Sequence, residues 1–292
     1  MFFPRPVAPD PGVQNLAGRD PLRTLTPMSP PPVPRYNVLG VGVSTLTLAQ
    51  TAAAILGVRG ALRRGYICLG TAHGLTTALR DPALEAAYAA AWLTTPDGMP
   101  LVWLGPRGTG RVYGPDLMLA VCDAGRAVGL RHFFFGGVPG VAPLLAERLA
   151  ARFPGLAVAG VATPPFRPLD VAETETFRAE ITRTRPDVIW VGLGTPKQEL
   201  FMAAHAADLD TGVLVGVGAA FDFHSGRVRQ APRWMQRGGL EWLFRLATEP
   251  RRLAGRYLLT NPLFVFHVLA QLTGLRAYPL PAESAPKTTP AA

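Results

Sequence analysis

The sequence predicts an α/β protein in which helices cover both faces of a largely parallel β-sheet, followed by a basic helical appendage. From residue 132 to residue 217, short apolar runs rich in β-branched residues alternate with helical segments. Glycine turns follow several of these runs, as at Gly136 and Gly137. After residue 233 only the helical period remains. Such alternation is typical of parallel sheets, because the crossover between parallel strands is usually a helix.

Composition divides the chain into four segments. Residues 1–35 carry closely spaced prolines without periodicity, and residues 277–292 are rich in proline, alanine and threonine, so both are predicted to be disordered. Residues 36–230 are predicted to form the α/β core and residues 231–276 the appendage. The proline-rich N-terminal stretch has no continuous apolar run, so no signal peptide is expected.

The overall composition is that of a globular protein suited to anionic partners. The 292 residues are 48% hydrophobic and 17% charged, with a formal net charge of +9. Such a charge suits phosphorylated metabolites or an acidic membrane surface. No basic segment is interleaved with aromatic residues, so no nucleic-acid partner is expected. Cys68 and Cys122 lie in apolar segments without metal-ligand spacing, which predicts buried free thiols in a cytosolic protein.

The first elements of the core are predicted from residue 36 onward. Residues 36–43 are predicted to form a strand, and Ser44 or Thr45 to cap a helix that extends to about residue 64. The Gly40-x-Gly42 pattern in this strand resembles a dinucleotide-binding fingerprint. It lacks the third glycine and the later acidic residue, which argues against NAD.

Two polar side chains follow the next predicted strand, residues 66–70. Thr71 and His73 stand at a strand-to-helix junction, where they either face a ligand or act as a cap and a hydrogen-bonded core histidine. An alanine-rich helical stretch is predicted from there to about residue 93.

Two charged loop residues come next. Asp97 lies in the turn predicted at residues 94–100, where it is either a turn-former or a catalytic carboxylate. Arg111 precedes a helix predicted at residues 115–129, and it is either an anion ligand or a solvated loop arginine.

The most informative stretch joins the strand predicted at residues 188–191 to a helix. Gly192 and Gly194 allow a sharp turn, Thr195 is the predicted N-cap, and Pro196 the first helical residue. Lys197, Gln198 and Glu199 then occupy the first turn. This order of elements favours a phosphate site, and an ordinary tight loop is the alternative. The flanking elements are predicted as strands at 132–135, 156–163 and 212–217 and helices at 141–153, 171–185 and 196–207.

The appendage combines an amphipathic aromatic face with arginines that few acids oppose, chiefly Glu241 and Glu249. Residues 258–275 are apolar, but Asn261, Pro262 and His267 leave a run too short to span a bilayer. The pattern favours a site on or near a membrane surface, with a solvated face as the alternative. Pairing with a second copy of the chain is another option for the apolar helices. The arginines are Arg233, Arg237, Arg245, Arg251, Arg252 and Arg256.

Six stretches occur together in the order and spacing of one protein family. They are Thr95-Pro96-Asp97-Gly98-Met99-Pro100, Gly110-Arg111-Val112-Tyr113-Gly114-Pro115-Asp116-Leu117, Phe134-Phe135-Gly136-Gly137, Val191-Gly192-Leu193-Gly194-Thr195-Pro196-Lys197-Gln198-Glu199, Gly216-Val217-Gly218-Ala219-Ala220-Phe221-Asp222 and Gly239-Leu240-Glu241-Trp242-Leu243-Phe244-Arg245-Leu246-Ala247-Thr248-Glu249-Pro250-Arg251-Arg252. The chain resembles the WecG/TagA/CpsF family of bacterial glycosyltransferases (glycosyltransferase family 26) over about residues 36–269.

This resemblance implies a Rossmann-like core and an inverting transfer reaction. The expected donor is a UDP-sugar, often of an N-acetylmannosamine type, and the expected acceptor is linked to polyprenyl diphosphate. No metal or other cofactor is expected. The implied location is the cytoplasmic face of the inner membrane, as a peripheral protein, and the implied product is exopolysaccharide, capsule or wall polymer.

The resemblance also assigns roles to individual residues. Asp97 matches the family's catalytic base, and Gln198 a contact to the nucleotide. Thr71 matches a donor-site position. His73 stands where many members carry asparagine, and Gly110 where many carry the glutamate that precedes the matching Arg111. The remaining substrate-binding assignments are Gly136, Gly137, Gly194, Pro196, Glu199, Asp222, Arg245, Arg251, Arg252 and Arg256, with the arginines holding the diphosphates of donor or acceptor.

Two other functions compete with the transferase. A non-catalytic nucleotide-sugar-binding partner of another transferase is favoured by Gly110 and His73 and disfavoured by the intact Asp97 and Gln198. A nicotinamide oxidoreductase has only the βα alternation in its favour. Release of UDP with lipid-linked acceptors distinguishes the first of these from the transferase, and binding of UDP against NAD distinguishes the second.

Overall fold

A computed structural model describes residues 33–59, 65–209 and 212–281. Its main sheet has six parallel strands in the order β4-β3-β8-β7-β5-β6, and β1 and β2 form a separate antiparallel hairpin. The predicted α/β architecture is confirmed. The strands are β1 (Arg35–Val38), β2 (Val41–Ser44), β3 (Gly65–Gly70), β4 (Leu93–Pro96), β5 (Arg131–Gly136), β6 (Ala157–Ala162), β7 (Val188–Gly192) and β8 (Val213–Gly216).

Helices connect the strands and cover both faces of the sheet, and the last three lie in the appendage segment, residues 231–276. The helices are α1 (Leu48–Leu56), α2 (Ala72–Ala78), α3 (Pro82–Ala90), α4 (Met99–Leu104), α5 (Gly114–Gly125), α6 (Val141–Arg152), α7 (Val171–Thr184), α8 (Lys197–His205), α9 (Ala220–His224), α10 (Arg233–Arg237), α11 (Glu241–Thr248) and α12 (Pro250–Leu272).

Strands β3, β4, β5, β7 and β8 are buried on both faces, as the continuous apolar residues of most of them predict, while the edge strand β6 is partly exposed. Successive strand residues alternate between two cores. Phe134 and Trp190 pack with α1, α5 and α6 on one face, and Phe133, Phe135 and Ile189 pack with α2, α3, α7 and α8 on the other. This period of two is the reason that the strands carry large side chains in unbroken succession.

The N-terminal part of the core differs from the prediction. The single strand expected at residues 36–43 is a hairpin, because Leu39 and Gly40 adopt positive φ angles of 54° and 85° and reverse the chain. The Gly40-x-Gly42 pattern therefore lies in a hairpin outside the parallel sheet. The following helix is capped by Thr47, not by Ser44 or Thr45, with Gln50 completing a capping box.

Three further predictions at strand and helix ends were wrong. Residues 93–96, assigned partly to a helix and partly to a turn, form β4, and the alanine-rich helix is two helices separated at Asp81, which caps α3. The N-cap of α8 is Pro196, not Thr195. The Thr195 hydroxyl instead donates to Glu199 Oε1 at 2.9 Å. Cys68 and Cys122 are buried free thiols, as predicted.

The appendage returns to the beginning of the core. Helix α12 continues through Pro262 and buries Leu253, Phe264 and Ala270. Its end is held by the N-terminal hairpin, since Gln271 Oε1 accepts from the Leu39 backbone N–H at 2.9 Å. Tyr278, in the segment expected to be disordered, is buried, and its hydroxyl lies 2.7 Å from His267 Nδ1.

The outward face of α12 is apolar. Leu258, Leu259, Val265, Phe266 and Leu269 are each more than half exposed. Among the helices of the described residues, none is both long enough and apolar enough to cross a bilayer. The predicted leader lies outside the described residues as far as residue 32, as does the tail from residue 282.

Candidate active site

The predicted site residues of the core lie at the carboxyl edge of the parallel sheet. Thr71 follows β3, Asp97 follows β4, Gly137 follows β5 and Gly194 follows β7. The connections from β5 and β7 leave in opposite directions along the sheet, β5 toward β6 and β7 toward β8. Ligands in open α/β sheets bind in the crevice at such a switch point. The glycine turns after β5 and β7 therefore flank the crevice, and Thr71 and Asp97 lie farther along the same edge of the sheet.

Asp97 is held by its backbone and one helix end. Its N–H donates to the Gly70 carbonyl at 2.9 Å, and its Oδ1 accepts from the Gly114 N–H at 3.3 Å. Gly114 is the first residue of α5, so the positive end of that helix faces the carboxylate. The side chain remains 22% exposed. Asp97 thus combines a fixed position with a partly exposed side chain.

The electrostatic surroundings of Asp97 raise its pKa. Burial raises the pKa to about 6, and the Glu241 carboxylate acts in the same direction. The Arg111 guanidinium and the Gly114 N–H oppose them by stabilising the charged form. A carboxyl with a pKa near 6 is ionised at neutral pH and is a stronger base than an ordinary aspartate.

Arg111 joins the carboxylate loop to the appendage. Its Nε donates to the Asp97 carbonyl, and its Nη2 lies 3.9 Å from Asp97 Oδ1 and 2.6 Å from Glu241 Oε2. The other oxygen of Glu241 accepts from the Tyr113 hydroxyl at 2.8 Å. The Arg111 guanidinium stands 4.1 Å from the centre of the Tyr113 ring. A residue of α11 therefore completes the surroundings of Asp97.

The neighbouring Thr47 explains why residue 110 is glycine where many family members carry glutamate. A Cβ at this position would lie 3.3 Å from Thr47 Cγ2 and 3.4 Å from the Thr47 Cα, so a larger side chain needs this part of the chain to shift. The carboxylate partner of Arg111 is Glu241 instead. The absence of a glutamate at residue 110 does not leave Arg111 unsupported.

The glycines after β5 and β7 form a narrow backbone contact. Gly136 has a φ of 140°, and a Cβ there would lie 2.6 Å from the Gly192 carbonyl oxygen. Gly194 has a φ of 75°, and a Cβ there would meet nothing within 4 Å. The first glycine is required by packing and φ, while the second leaves open space beside the turn.

Gln198 is buried inside this turn. Its Oε1 accepts from the Gly194 N–H at 3.2 Å, and its Nε2 donates to Glu199 Oε1 at 3.0 Å. Glu199 is also buried, which raises the pKa of its carboxyl, while hydrogen bonds from Gln198 and Thr195 act the other way. The amide of Gln198 is therefore engaged in holding the glycine turn.

Asp97 and Gln198 lie on the same side of the molecule. Gly114, which donates to the Asp97 carboxylate, would place a Cβ 3.3 Å from the Val217 carbonyl oxygen. The next residue, Gly218, would place a Cβ 3.4 Å from Gln198 Oε1. A continuous set of contacts thus joins the carboxylate to the glycine turn across the ends of β4, β8 and β7.

Thr71 and His73 lie at the N-terminus of α2. Thr71 is the N-cap, and its hydroxyl accepts from the Gly74 N–H at 3.0 Å. His73 Nδ1 lies 3.4 Å from Thr77 Oγ1 and 3.5 Å from Thr260 Oγ1 of α12. Burial and the nearby Arg256 lower the pKa of His73 to about 4, so it is neutral at pH 7. Both residues have local structural partners.

Four appendage arginines were predicted to bind diphosphates, and three of them form a group with Asp222. They are Arg245, Arg252 and Arg256. The charges of Arg252 and Arg245 act on the Asp222 carboxyl, whose pKa is raised by burial, and the same two arginines act on Arg256. Arg245 also acts on Asp97. Glu249 pairs with Arg252 and lies 3.7 Å from Arg245.

Arg251 is separate from this group. Its side chain is exposed and has no ion pair or hydrogen bond to another described residue. Among residues 33–59, 65–209 and 212–281, no group of three or more histidine, cysteine, aspartate or glutamate side chains is placed to hold a metal ion.

Comparison with known proteins identifies the family. The family described as "Glycosyl transferase WecG/TagA/CpsF family" matches residues 36–278. The chain belongs to this family. A relative from Bacillus spizizenii (strain ATCC 23059 / NRRL B-14472 / W23) is 33% identical over 196 residues, which are 66% of this chain and 74% of the relative. That relative is named N-acetylglucosaminyldiphosphoundecaprenol N-acetyl-beta-D-mannosaminyltransferase. The resemblance stated from the sequence motifs is confirmed.

In this WecG/TagA/CpsF protein, two residues near Asp97 lie within the sequence motifs but received no role in the sequence analysis. Glu241 and Tyr113 both contact the surroundings of Asp97 through hydrogen bonds. The signal for Glu241 was available, because it is one of the few acids among the appendage arginines. The sequence could not show that Glu241 pairs with Arg111, because only the tertiary fold brings residues 111 and 241 together.

Proposed function

We propose that this glycosyltransferase moves a sugar from a UDP-sugar to an acceptor linked to polyprenyl diphosphate, with inversion at the anomeric carbon. Membership of the family supports the transferase activity. The name of the Bacillus spizizenii relative supports an acceptor that carries a sugar on a lipid diphosphate and a donor of the N-acetylmannosamine type. Exopolysaccharide, capsule or wall polymer is the corresponding product.

Asp97 is the general base in this proposal. The observation that supports this role is its fixed, partly exposed carboxylate with a raised pKa. The acceptor hydroxyl attacks the anomeric carbon from the face opposite to UDP. A new carbon–oxygen bond forms as the bond to the β-phosphate oxygen breaks, the hydroxyl proton passes to Asp97, and UDP leaves with the electron pair. The pKa of about 6 keeps Asp97 ionised near neutral pH and able to accept that proton.

Departure of UDP leaves negative charge that the protein must stabilise. Arg245, Arg252 and Arg256 supply positive charge close to Asp222 and Asp97. The turn at Gly194, where a Cβ would meet nothing within 4 Å, offers backbone that a diphosphate can approach closely, and Gly136 and Gly137 shape the neighbouring turn. We propose that these groups stabilise the diphosphate without a metal or other cofactor.

The acceptor lipid requires the enzyme to work at a membrane. The exposed apolar residues of α12 and the basic residues near them suit a peripheral position on an acidic leaflet, which we assign to the cytoplasmic face of the inner membrane. Contact between two copies of the chain through the same apolar face is the competing use of this surface.

Asp97→Asn tests the proposal. The variant keeps the size of the side chain and removes the proton acceptor, so transfer is expected to fall by roughly 100- to 10,000-fold. Binding of UDP, measured by calorimetry, is expected to be unchanged. Full transfer by the variant with cognate substrates contradicts the assignment of the base. Binding of UDP-sugars by the wild type without UDP release, in a panel of lipid-linked acceptors, favours a non-catalytic binding protein instead.

A further inference from the structure

A cavity lies between the core and the appendage, beside the surroundings of Asp97. Its volume is about 450 Å³, within the range of small-molecule sites, which is roughly 300–1,000 Å³. Part of its wall comes from the start of α5 and the loop before it, and the rest from α4 and α10. The lining residues are Met99, Arg111, Tyr113, Asp116, Arg233, Gln236 and Arg237.

The cavity is positively charged. Three arginines line it, against the single carboxylate of Asp116. Asp116 Oδ2 lies 2.6 Å from Arg233 Nη1, and Arg111 is paired with Glu241. Arg237 has no ion pair with any residue that the structure describes. A guanidinium without a counter-charge at a cavity wall is suited to an anionic ligand, and its planar fork fits phosphate oxygens.

Arg111 relates the cavity to the reacting carboxylate. The Arg111 guanidinium lines the cavity and lies 3.9 Å from Asp97 Oδ1. The same oxygen accepts from Gly114, which contacts the strand end next to Gly218 and Gln198. Through Arg111 the cavity therefore adjoins the carboxylate that is proposed to take the proton of the acceptor hydroxyl. A cavity next to that base suits the substrate that the base deprotonates, which is the acceptor.

Two exposed tryptophans border this region. Trp103 of α4 is 64% exposed and contacts Gly239, since a Cβ at Gly239 would lie 2.7 Å from its ring. Trp234 of α10, next to Arg233, is 66% exposed. Tryptophan is favoured where a protein meets the boundary between lipid headgroups and water. A lipid diphosphate held in the cavity would have its hydrocarbon chain leaving toward such a boundary.

We propose that this cavity, the acceptor cavity, binds the diphosphate of the lipid-linked acceptor, with Arg237 and Arg233 as its ligands. The proposal rests on the proposed function, because it assigns one of that reaction's two substrates to a subsite. The proposal assigns the arginines to two different substrates. Arg237 and Arg233 serve the acceptor, and the group around Arg245 serves UDP.

Two substitutions that are expected to change the acceptor KM in opposite directions test this assignment. Arg237→Gln removes a cation and is expected to raise the acceptor KM roughly tenfold or more. Asp116→Asn removes the carboxylate that neutralises Arg233 and is expected to lower the acceptor KM several-fold. Arg131→Gln, at the amino end of β5 on the opposite edge of the sheet, is the control for loss of one charge. The acceptor is N-acetylglucosamine linked through diphosphate to a short, water-soluble prenyl chain, with the UDP-sugar saturating.

Measuring acceptor binding directly tests the subsite independently of the proposed reaction. Calorimetry of the same acceptor without donor is expected to show weaker binding by the Arg237→Gln protein and an unchanged UDP affinity. If the wild type binds the acceptor through Arg237 but transfers no sugar, the reaction is wrong and the subsite stands.

Three results overturn the subsite. They are an unchanged acceptor KM for Arg237→Gln, an equal loss of UDP affinity, and an effect that appears only as weaker binding to phosphatidylglycerol vesicles. The last result assigns the arginines to membrane headgroups.

Discussion

Substitution of Glu241 allows the electrostatics of the proposed base, Asp97, to be tested while Asp97 itself is kept. Glu241→Gln keeps one oxygen to accept from Arg111, turns an amide NH2 that can donate toward the Tyr113 hydroxyl, and removes the negative charge. That charge raises the pKa of Asp97, so its loss lowers this pKa. Because Asp97 must be ionised to accept a proton, activity rises with pH through this pKa. The acid limb of the pH–rate profile is therefore expected to move to lower pH.

The size of this shift follows from the distances around Arg111. The Nη2 atom is 3.9 Å from Asp97 Oδ1 and 2.6 Å from Glu241 Oε2, so the two oxygens are at most about 6.5 Å apart. At that separation two unit charges repel by about 0.6 kcal/mol in water and about 2.6 kcal/mol at an effective dielectric constant of about 20. Both side chains are partly exposed, so an intermediate value applies. The midpoint should fall by about one pH unit, which corresponds to about 1.4 kcal/mol.

The assay is the pH dependence of kcat/KM for sugar transfer, measured from UDP release. Glu180→Gln, which removes a carboxylate from an exposed pair with Arg183 on α7, is the control and should leave the midpoint unchanged. UDP affinity measured at each pH shows that the variant site is intact. A midpoint for Glu241→Gln that stays in place or moves to higher pH refutes the electrostatic reasoning.

Two further predictions concern the glycine turn and the apolar face of α12. Gly136→Ala forces a Cβ to 2.6 Å from a carbonyl oxygen, so we expect a loss of about 2 kcal/mol and a Tm lower by about 4–8 °C. Gly140→Ala, whose Cβ meets nothing within 4 Å, should cost less, and equal losses by thermal unfolding would contradict the steric argument. Phe266→Ser combined with Leu269→Ser should weaken sedimentation with phosphatidylglycerol vesicles more than tenfold, because each apolar side chain contributes about 1.5–3 kcal/mol on burial. Val171→Ser on α7 is the matched exposed control, and unchanged sedimentation of the double variant argues for pairing between copies of the chain.

The regular part of the fold could be predicted because local patterns determine it. The elements between residues 131 and 216 have strong apolar periods and glycine or proline at their ends, and their predicted bounds were correct to within about two residues. The motif set then identified the family correctly.

The errors arose where a few residues decide between structures. In the N-terminal hairpin, Leu39 at a positive φ reverses a chain whose pattern reads as one strand. Strand β4 is four residues long, too short to show a period, and its identity depends on pairing with β3. Local sequence carries little information about either feature, since both are decided by tertiary contacts.

The site shows the same division between local and long-range information. Asp97 and the glycine turns were candidates because their own neighbours mark them. Nothing near Arg111 indicates that its carboxylate partner lies 130 residues later in the chain. The walls of the acceptor cavity come from residues 99–116 and residues 233–237, which are far apart in the sequence, so only the structure could reveal it.

The contact between Arg111 and Glu241 also limits how relatives of this enzyme can be recombined. A chimera that joins the core of one protein to the last three helices of another would inherit the two halves of this ion pair from different parents. Donor specificity can be exchanged in this way only if the positions matching Arg111, Tyr113 and Glu241 are transferred as one set. The hairpin residues that hold the end of α12 belong to the same inherited unit.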